Sequence, residues 1–510
     1  MGLSHLSRLS HRILAVASVA VVVVLCASPA ALADWPQFQG DASHGGLIDG
    51  PTVPLAVAWT RSGIELEGPS TSGGLSAPVV ADDGTVVVVA PTAVLGLSLD
   101  DGTETFSTAR DFGPSAQPAI AEGPDGAVVV FTEGLGDDPP AGTATASPTP
   151  ASPTPADTAD EEAFDSHVNA VDLATGRQAW ERPVQLEEVV QTPVTVDGVV
   201  AYVGDVGGTV TAVDVASGDV RWRADLGTPV AGAVSVDADR ALVSTLGDRD
   251  TPGVLVALDV DSGEELWRTD EDAIRSNLVS APVLADGRIL VLEPSGIVAL
   301  DPEEGGLLWR SEVVNPRATP FVLQGVGGPA PVSAGGQVFA VDGTGRVYAL
   351  DAETGAERWD HALNDPAAVA PPLLTDDHVL VPTGSGILYA VDRETGHLAF
   401  ETPARGSLLR GLADAGDLLV GVGGLSDARV VAFEADAGGD LIDVPSPTTF
   451  DLGAMLGGFA AGAVSAGLVA LVLTRPLHRR LVRAPGPWPS PRPNPRPNPK
   501  KDADGAEGPR

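Results

Sequence analysis

One phrase recurs along this chain and constrains its fold more than any other feature. It reads Ala-x-Asp-x-x-Thr-Gly-x-x-x-Trp, with Ser or Glu replacing Thr in some copies, and complete copies end at Trp180, Trp222, Trp267, Trp309 and Trp359. Weaker copies end at Phe106 and Phe400, and an eroded one spans residues 431–438. The aspartates at 172, 214, 259, 301, 351 and 392 give a repeat of 41 to 50 residues. Repeats of that length are typical of four-stranded propeller blades.

Each repeat also has the same internal pattern, which residues 191–222 show best. Short valine-rich runs alternate with Asp-Gly, Gly-Gly and Ser-Gly pairs, a pattern that predicts strands joined by tight turns. In the last turn, Asp and Thr or Ser can bond backbone N–H groups while Gly accepts a positive φ. A single four-stranded blade cannot bury both of its faces, so we expect blades to stack with the aromatic residue between them.

The aromatic register predicts how the ring closes. Trp59 precedes every complete repeat, whereas the eroded copy near Glu434 lacks a following Trp. We therefore expect Trp59 to lie on the outer strand of the last blade, which gives an all-β, eight-bladed propeller of four-stranded antiparallel blades without an open sheet edge. The predicted docking residues are Trp59, Phe106, Trp180, Trp222, Trp267, Trp309, Trp359 and Phe400.

These residues carry a family resemblance. The repeated phrase resembles the tryptophan-docking repeat of the pyrroloquinoline quinone (PQQ) type propellers, and the opening Asp-Trp-Pro-Gln-Phe-Gln-Gly-Asp, residues 34–41, looks like the N-terminal signature common in that superfamily. The resemblance covers roughly residues 34–439. It implies the fold but not the function, because the superfamily includes quinoprotein dehydrogenases, outer-membrane-assembly lipoproteins, kinase sensor domains and binding propellers.

Both ends of the chain carry membrane-targeting patterns. Residues 1–33 read as a secretory signal peptide: basic residues, an apolar run and a small-residue cleavage site before Asp34, with an uncleaved anchor as the alternative. Residues 452–473 are uncharged and long enough to span a bilayer. Arginines follow this segment from Arg475, so the positive-inside rule places the tail in the cytoplasm and the propeller outside the cell membrane. Gly453 and Gly457 are spaced so that two such helices could approach closely and dimerise.

Composition shifts set the remaining boundaries. The propeller is expected over residues 34–440, interrupted at 134–163 by a Ser/Thr/Pro-rich insertion with too few apolar residues to pack. Residues 441–451 form a predicted stalk, and residues 474–510 a basic, Pro-rich cytoplasmic tail.

The charge of the chain argues against nucleic acid as a partner. There are 69 acidic residues against 30 basic ones, and both lysines, Lys500 and Lys501, lie in the tail. A propeller that is strongly acidic lacks the basic surface on which phosphate contacts depend.

The sequence does not match the cofactor site of the superfamily's enzymes. The resemblance implies PQQ over a calcium ion at the channel mouth, held with a sandwiching Trp, nearby Glu, Asn and Asp, and in the alcohol dehydrogenases an adjacent-cysteine disulfide. Here the only cysteine, Cys26, lies in the predicted signal peptide, and the propeller's asparagines, Asn169, Asn277, Asn315 and Asn364, form no cluster with acids. We therefore predict no cofactor, no metal and no catalytic residue, with PQQ and calcium as the alternative.

If the ring binds a ligand, the starts of the inner strands define the site. The candidates on one rim of the channel are Gln117, Gln191, Arg275, Asn277, Ser280 and Arg410; their alternative role is to satisfy backbone groups at strand ends. The sequence thus predicts a membrane-anchored, extracytoplasmic propeller that acts as a non-catalytic binding or scaffold module in envelope protein assembly or sensing. A membrane-bound PQQ-dependent oxidoreductase is the alternative, and a protein partner is expected.

Overall fold

The described part of the protein contains eight four-stranded antiparallel sheets. The computed structural model describes residues 35–436, except 52, 64–65, 67–73, 135–165, 238, 248–251, 271, 276–279, 294–295, 313–329, 366–369, 405 and 424–427. Within those residues no helix is long and apolar enough to span a membrane. The predicted signal peptide, stalk, membrane segment and tail lie outside them, as does nearly all of the predicted insertion.

Each of the first seven blades is built from consecutive strands, numbered here in chain order. Blade 1 comprises β2 (Val79–Val80), β3 (Thr85–Val89), β4 (Ala93–Ser98) and β5 (Glu104–Ala109). Blade 2 comprises β6 (Ala119–Gly123), β7 (Gly126–Glu133), β8 (Ser166–Asp172) and β9 (Val184–Leu186). Blade 3 comprises β10 (Thr195–Asp197), β11 (Val200–Gly204), β12 (Thr209–Asp214) and β13 (Val220–Asp225). Blade 4 comprises β14 (Ser235–Asp237), β15 (Arg240–Ser244), β16 (Leu255–Asp259) and β17 (Glu265–Arg268).

The second half of the ring repeats this arrangement. Blade 5 comprises β18 (Val283–Ala285), β19 (Arg288–Glu293), β20 (Gly296–Leu300) and β21 (Leu307–Ser311). Blade 6 comprises β22 (Val332–Ala334), β23 (Gln337–Val341), β24 (Arg346–Asp351) and β25 (Glu357–Ala362). Blade 7 comprises β26 (Leu373–Leu374), β27 (His378–Pro382), β28 (Ile387–Asp392) and β29 (Leu398–Pro403). Blade 8 combines β30 (Gly411–Ala415), β31 (Leu418–Val422) and β32 (Arg429–Ala435) with β1 (Leu55–Ser62).

The last blade confirms the predicted ring closure. Strand β1 pairs antiparallel with β32, from Leu55 opposite Ala435 to Ser62 opposite Arg429. The N-terminal part of the propeller thus supplies the outer strand of the blade that the C-terminal part begins. The ring is held shut by backbone hydrogen bonds and has no unpaired β32 edge.

In seven of the blades, an aromatic side chain on the outer part of the blade contacts the next blade of the ring. The Trp309 indole N–H donates to the carbonyl of Ala352 at 3.0 Å. Its ring lies against Gly355, where an added Cβ would come within 2.4 Å of a ring carbon. The same contact joins Trp59 to Gly102, Phe106 to Gly176, Trp180 to Gly218, Trp222 to Gly263, Trp267 to Gly305 and Trp359 to Gly396. Phe400 is buried, but the turn that follows β32 lies outside the described residues.

The Asp-x-x-Thr-Gly part of the phrase builds the turn that receives this ring. In blade 6 the Asp351 carboxylate accepts the backbone N–H of Thr354 at 3.0 Å and its hydroxyl at 2.8 Å. Gly355 then donates its N–H to the Asp351 carbonyl with φ +69°, a conformation that favours glycine. The turn therefore presents a flat, glycine-lined surface to the preceding blade.

The antiparallel blades give the ring two distinct faces. On the loop face, the chain enters each inner strand and the second strand connects to the third. On the hairpin face, the first strand turns into the second and the third into the fourth. The predicted insertion follows Glu133 and precedes Ser166, between the second and third strands of blade 2, so both of its ends lie on the loop face.

Candidate functional site

The central channel is lined by the eight inner strands and contains a stretch of the chain itself. This stretch, residues 35–50, is called the channel segment below. It precedes β1 and follows the ring from blade to blade before leaving it at Pro51. Without this segment, the inner strands would present unpaired backbone N–H and carbonyl groups to the channel. The segment supplies hydrogen-bond partners for some of these groups.

Backbone hydrogen bonds tie the channel segment to most of the inner strands at one level. Where these bonds form, the contacted residue is the second of its inner strand. In each of these bonds a strand N–H donates to a carbonyl of the segment: Val80 to Trp35 (2.9 Å), Ile120 to Pro36 (2.7 Å), Val236 to Ala42 (2.7 Å), Leu284 to Ser43 (2.9 Å) and Leu374 to Gly46 (2.9 Å). Trp35 and Ile48 donate in return to the carbonyls of Val80 and Leu374.

Side chains make the remaining connections. Gln37 bonds both backbone groups of Val196 in blade 3, accepting its N–H at 2.6 Å and donating to its carbonyl at 2.9 Å. Gln39 donates to the carbonyl of Pro331, just before β22 in blade 6, at 3.3 Å. In blade 8 the Asp414 carboxylate lies close to the backbone N–H groups of Asp49 and Gly50. The channel segment therefore contacts every blade of the ring.

Three apolar side chains of the channel segment are buried against the blades. Trp35, Phe38 and Ile48 are all buried, each less than 5% exposed. Gly40 permits the close fit, because an added Cβ would stand 2.8 Å from the Trp35 ring and its φ is +92°. Leu47 is 54% exposed, so the segment has an outer side that faces solvent.

His44 lies entirely buried where the segment meets blades 4 and 5. Its Nδ1 is 3.2 Å from the Pro282 carbonyl oxygen and 2.8 Å from the Ser235 hydroxyl. Because a carbonyl oxygen only accepts, the first contact requires a proton on Nδ1. Burial lowers the pKa of His44 from 6.5 to about 4, against weaker opposing effects of the Pro282 carbonyl and Asp41. The imidazole is therefore neutral at physiological pH.

The buried neutral imidazole predicts a loss of stability in acid. The unfolded chain takes up a proton below pH 6.5 and the folded chain only near pH 4, so stability is complete above pH 6.5 and falls as the pH drops through this window. The full effect is about 3 kcal/mol. His44→Asn keeps a donor and tolerates the positive φ of 64° at this position. Denaturant unfolding from pH 7 to 4 should show a weaker pH dependence in the variant, and parallel curves would contradict the assignment.

Two of the six predicted rim residues come together above the channel segment. Gln117 and Arg410, both less than 5% exposed, line one pocket with Trp35, Phe38 and Gln39. The Gln117 side chain donates to the Pro78 carbonyl at 3.1 Å. Burial lowers the pKa of Arg410 to about 10, which leaves its guanidinium charged at neutral pH.

The pocket is small and partly polar. Among the described residues, Trp35 Nε1, Gln39 Oε1 and Gln117 Oε1 have no hydrogen-bond partner. The space open to the centre of a water molecule is about 10 Å³, which is roughly what one water needs. One donor and two acceptors around such a space suit a single water molecule.

The other predicted rim residues do not join this pocket. The Ser280 hydroxyl donates to the Ala281 carbonyl and accepts the N–H of Leu292, so it satisfies backbone groups. Arg275 is exposed and stands 3.8 Å from Glu312. Gln191 is half-buried just before the inner strand of blade 3. Asn277 lies outside the described residues.

The channel segment is what the sequence did not reveal about the site. Its residues matched a superfamily signature, but nothing in their spacing indicated that they run inside the ring. One signal in the sequence could have indicated this path. The N-terminal stretch contains two aromatic residues and two glutamines, yet it lies before the repeats and belongs to no blade.

Comparison with known proteins assigns the family. Residues 165–322 and 295–450 match the model of the family described as outer membrane protein assembly factor BamB, and together these ranges span more than half of the chain. The chain belongs to this family of PQQ-type propeller repeats.

Solved structures and one curated relative show the breadth of this similarity. BamB from Moraxella catarrhalis superposes with a TM-score of 0.52 at 15% identity, covering 76% of this chain and 100% of that one. Quinohemoprotein alcohol dehydrogenase from Comamonas testosteroni gives 0.59 at 16% identity, covering 81% and 82%. The serine/threonine-protein kinase AfsK of Streptomyces griseus is 31% identical over 96 residues, 19% of this chain. The chain spans only 11% of that kinase's length.

Neither the pocket above Trp35 nor the acidic side chains of the described residues fit the quinone and calcium that the dehydrogenase-like fold implies. That pocket has room for about one water molecule, so it does not hold a quinone. Across the described part of the chain, no three His, Cys, Asp or Glu side chains group together so that they could hold a metal ion. The docking tryptophans contact the turns of neighbouring blades, which removes them as stacking partners for a quinone.

Proposed function

We propose that this BamB-family propeller is a non-catalytic binding or scaffold module, anchored to the cell membrane and working outside the cytoplasm. The observation that carries the proposal is the channel segment, which contacts all eight blades and buries Trp35, Phe38 and Ile48 against them. Binding then falls to the outer surfaces of the ring, with a protein as the partner.

The family assignment supports a protein partner. The family's printed description is that of an assembly factor, and the fold is shared with a BamB structure. Envelope protein assembly is therefore the role we favour. Sensing is the second role, supported by the 96-residue similarity to a protein kinase.

A titration with PQQ separates this proposal from the oxidoreductase alternative. The purified full-length protein in detergent, supplied with PQQ and calcium, is expected to show no stoichiometric heat of binding and no dye reduction with alcohols or aldose sugars. The reason is the small pocket over Trp35 and the lack of a fitting metal-ligand group among the described residues. Stoichiometric PQQ binding that Arg410→Met or Gln117→Ala abolishes would make the protein an enzyme.

The proposed topology has its own test. Protease added to intact cells should remove the propeller, cutting first within the Ser/Thr/Pro-rich insertion, while an epitope placed after Lys501 stays protected. The positive charges that follow residue 473 are the physical reason for this orientation. A protected propeller with a digested tail would reverse the orientation, and protection of both would argue against export.

A further inference from the structure

The hydrogen bonds of the channel segment follow the logic of peptide recognition. An extended peptide that binds a sheet edge gains affinity from main-chain hydrogen bonds and specificity from alternate side-chain pockets. The channel segment also combines main-chain hydrogen bonds with buried side chains, but it folds through turns at residues 37–40 and 41–44 instead of lying extended. Its backbone bonds inner strands at Val80, Ile120, Val236, Leu284 and Leu374.

The specificity comes from a few side chains of the segment. Gln37 bonds both the N–H and the carbonyl of Val196, an arrangement that a carboxylate or an ammonium group cannot make. The Phe38 ring is buried in a hydrophobic cluster with residues of blades 5 and 6. Gly46 approaches blade 6 so closely that an added Cβ would stand 2.6 Å from Val332.

The segment is also not part of any blade. It forms none of the 32 strands, and its hydrogen bonds to the ring connect residues far apart in sequence. Only the short link from Pro51 to Pro54 joins it to β1. Opening that link leaves every blade complete, because β1 itself begins at Leu55.

From these contacts we infer that the channel is a peptide-binding site whose resident ligand is the chain's own residues 35–50. The ligand class is a turn-forming peptide with the pattern Trp-Pro-Gln-Phe-Gln-Gly followed by a histidine. Once its link to β1 is cut, the segment remains bound by its contacts alone and exchanges with a free peptide of the same sequence. This inference goes beyond the proposed partner surface and does not depend on it.

The test cuts the full-length protein in place. A protease recognition sequence is inserted at position 52 and cleaved after folding, and the products are separated under native conditions. We expect the N-terminal fragment to co-elute with the ring. A fluorescent peptide of residues 34–50 should then replace it, reaching one bound peptide per chain, while the uncut protein takes up none.

Matched peptides decide whether the recognition is specific. Phe38→Ala and Gln37→Ala peptides remove buried contacts and should bind about tenfold more weakly or worse. A Leu47→Ala peptide, altered at an exposed position, should bind like the parent. A reversed-sequence peptide should not bind.

Three outcomes would overturn the inference. The first is release of the fragment on cleavage with an unchanged melting temperature, which would show that the contacts are not binding contacts. The second is retention without exchange during the lifetime of the folded ring. The third is equal uptake of the parent and Phe38→Ala peptides. None of these bears on PQQ binding or on membrane topology, so this inference and the proposed function can fail independently.

Discussion

Removal of residues 34–61 is expected to abolish cooperative folding of the propeller or to cost more than about 5 kcal/mol, a third or more of the stability of a typical domain. The deletion takes away nearly all of β1, which exposes β32 as an open edge, and also the indole of Trp59, whose N–H donates to the Leu99 carbonyl of blade 1 at 2.7 Å. It also removes the channel segment. The measurement is urea unfolding followed by circular dichroism.

A graded series separates the contributions to this effect. Trp59→Ala alone keeps the strand pairing and should lose only the contact with blade 1. A chain without residues 34–50 keeps the whole of β1 and should lie between that variant and the full deletion. A fully truncated chain that unfolds like the parent would mean that the ring closes in another way.

Trp309→Ala is expected to destabilise the ring by about 3–5 kcal/mol. The side chain is 8% exposed, packs on Gly355 and bonds the Ala352 carbonyl, so its removal leaves a cavity and an unpaired acceptor between blades 5 and 6. Differential scanning calorimetry together with denaturant unfolding measures the loss.

The neighbouring residue provides a matched control. Leu308 lies on the same strand and is 49% exposed, so Leu308→Ala should change stability by no more than about 0.5 kcal/mol. Trp488, outside the described residues and outside the docking register, is expected to be similarly neutral. Equal losses at Trp309 and Leu308 would contradict the docking role.

The fold could be predicted because its determinants are local and repeated. A turn like that of blade 6 needs an aspartate, a hydroxyl and a glycine within five residues. Each docking aromatic follows that glycine at a fixed distance in the sequence. Ring closure could be predicted in the same way. Trp59 is a docking aromatic with no repeat before it, and the eroded repeat at residues 431–438 has no docking aromatic after it, so the two complete one blade.

The site could be predicted only in part, because its partners are distant in the chain. The starts of the inner strands were the source of the candidates Gln117 and Arg410, and these two residues line one pocket. The Gln37 contact with Val196 spans 159 residues and the Gln39 contact with Pro331 spans 292, and no periodicity in a single sequence records such pairs. The path of residues 35–50 therefore became visible only in three dimensions.

The pairing of β1 with β32 has a consequence for how the chain is made. Leu55 emerges from the ribosome long before Ala435, its partner. At about 5–20 residues per second, β1 waits roughly 20–80 s for the strand it must join. During that time β1 has no strand partner, although blades assembled from consecutive strands can already form. We therefore expect nascent chains to gain structure blade by blade, with the unpaired edge of the first-made strand remaining accessible to chaperones and proteases until synthesis has passed residue 435.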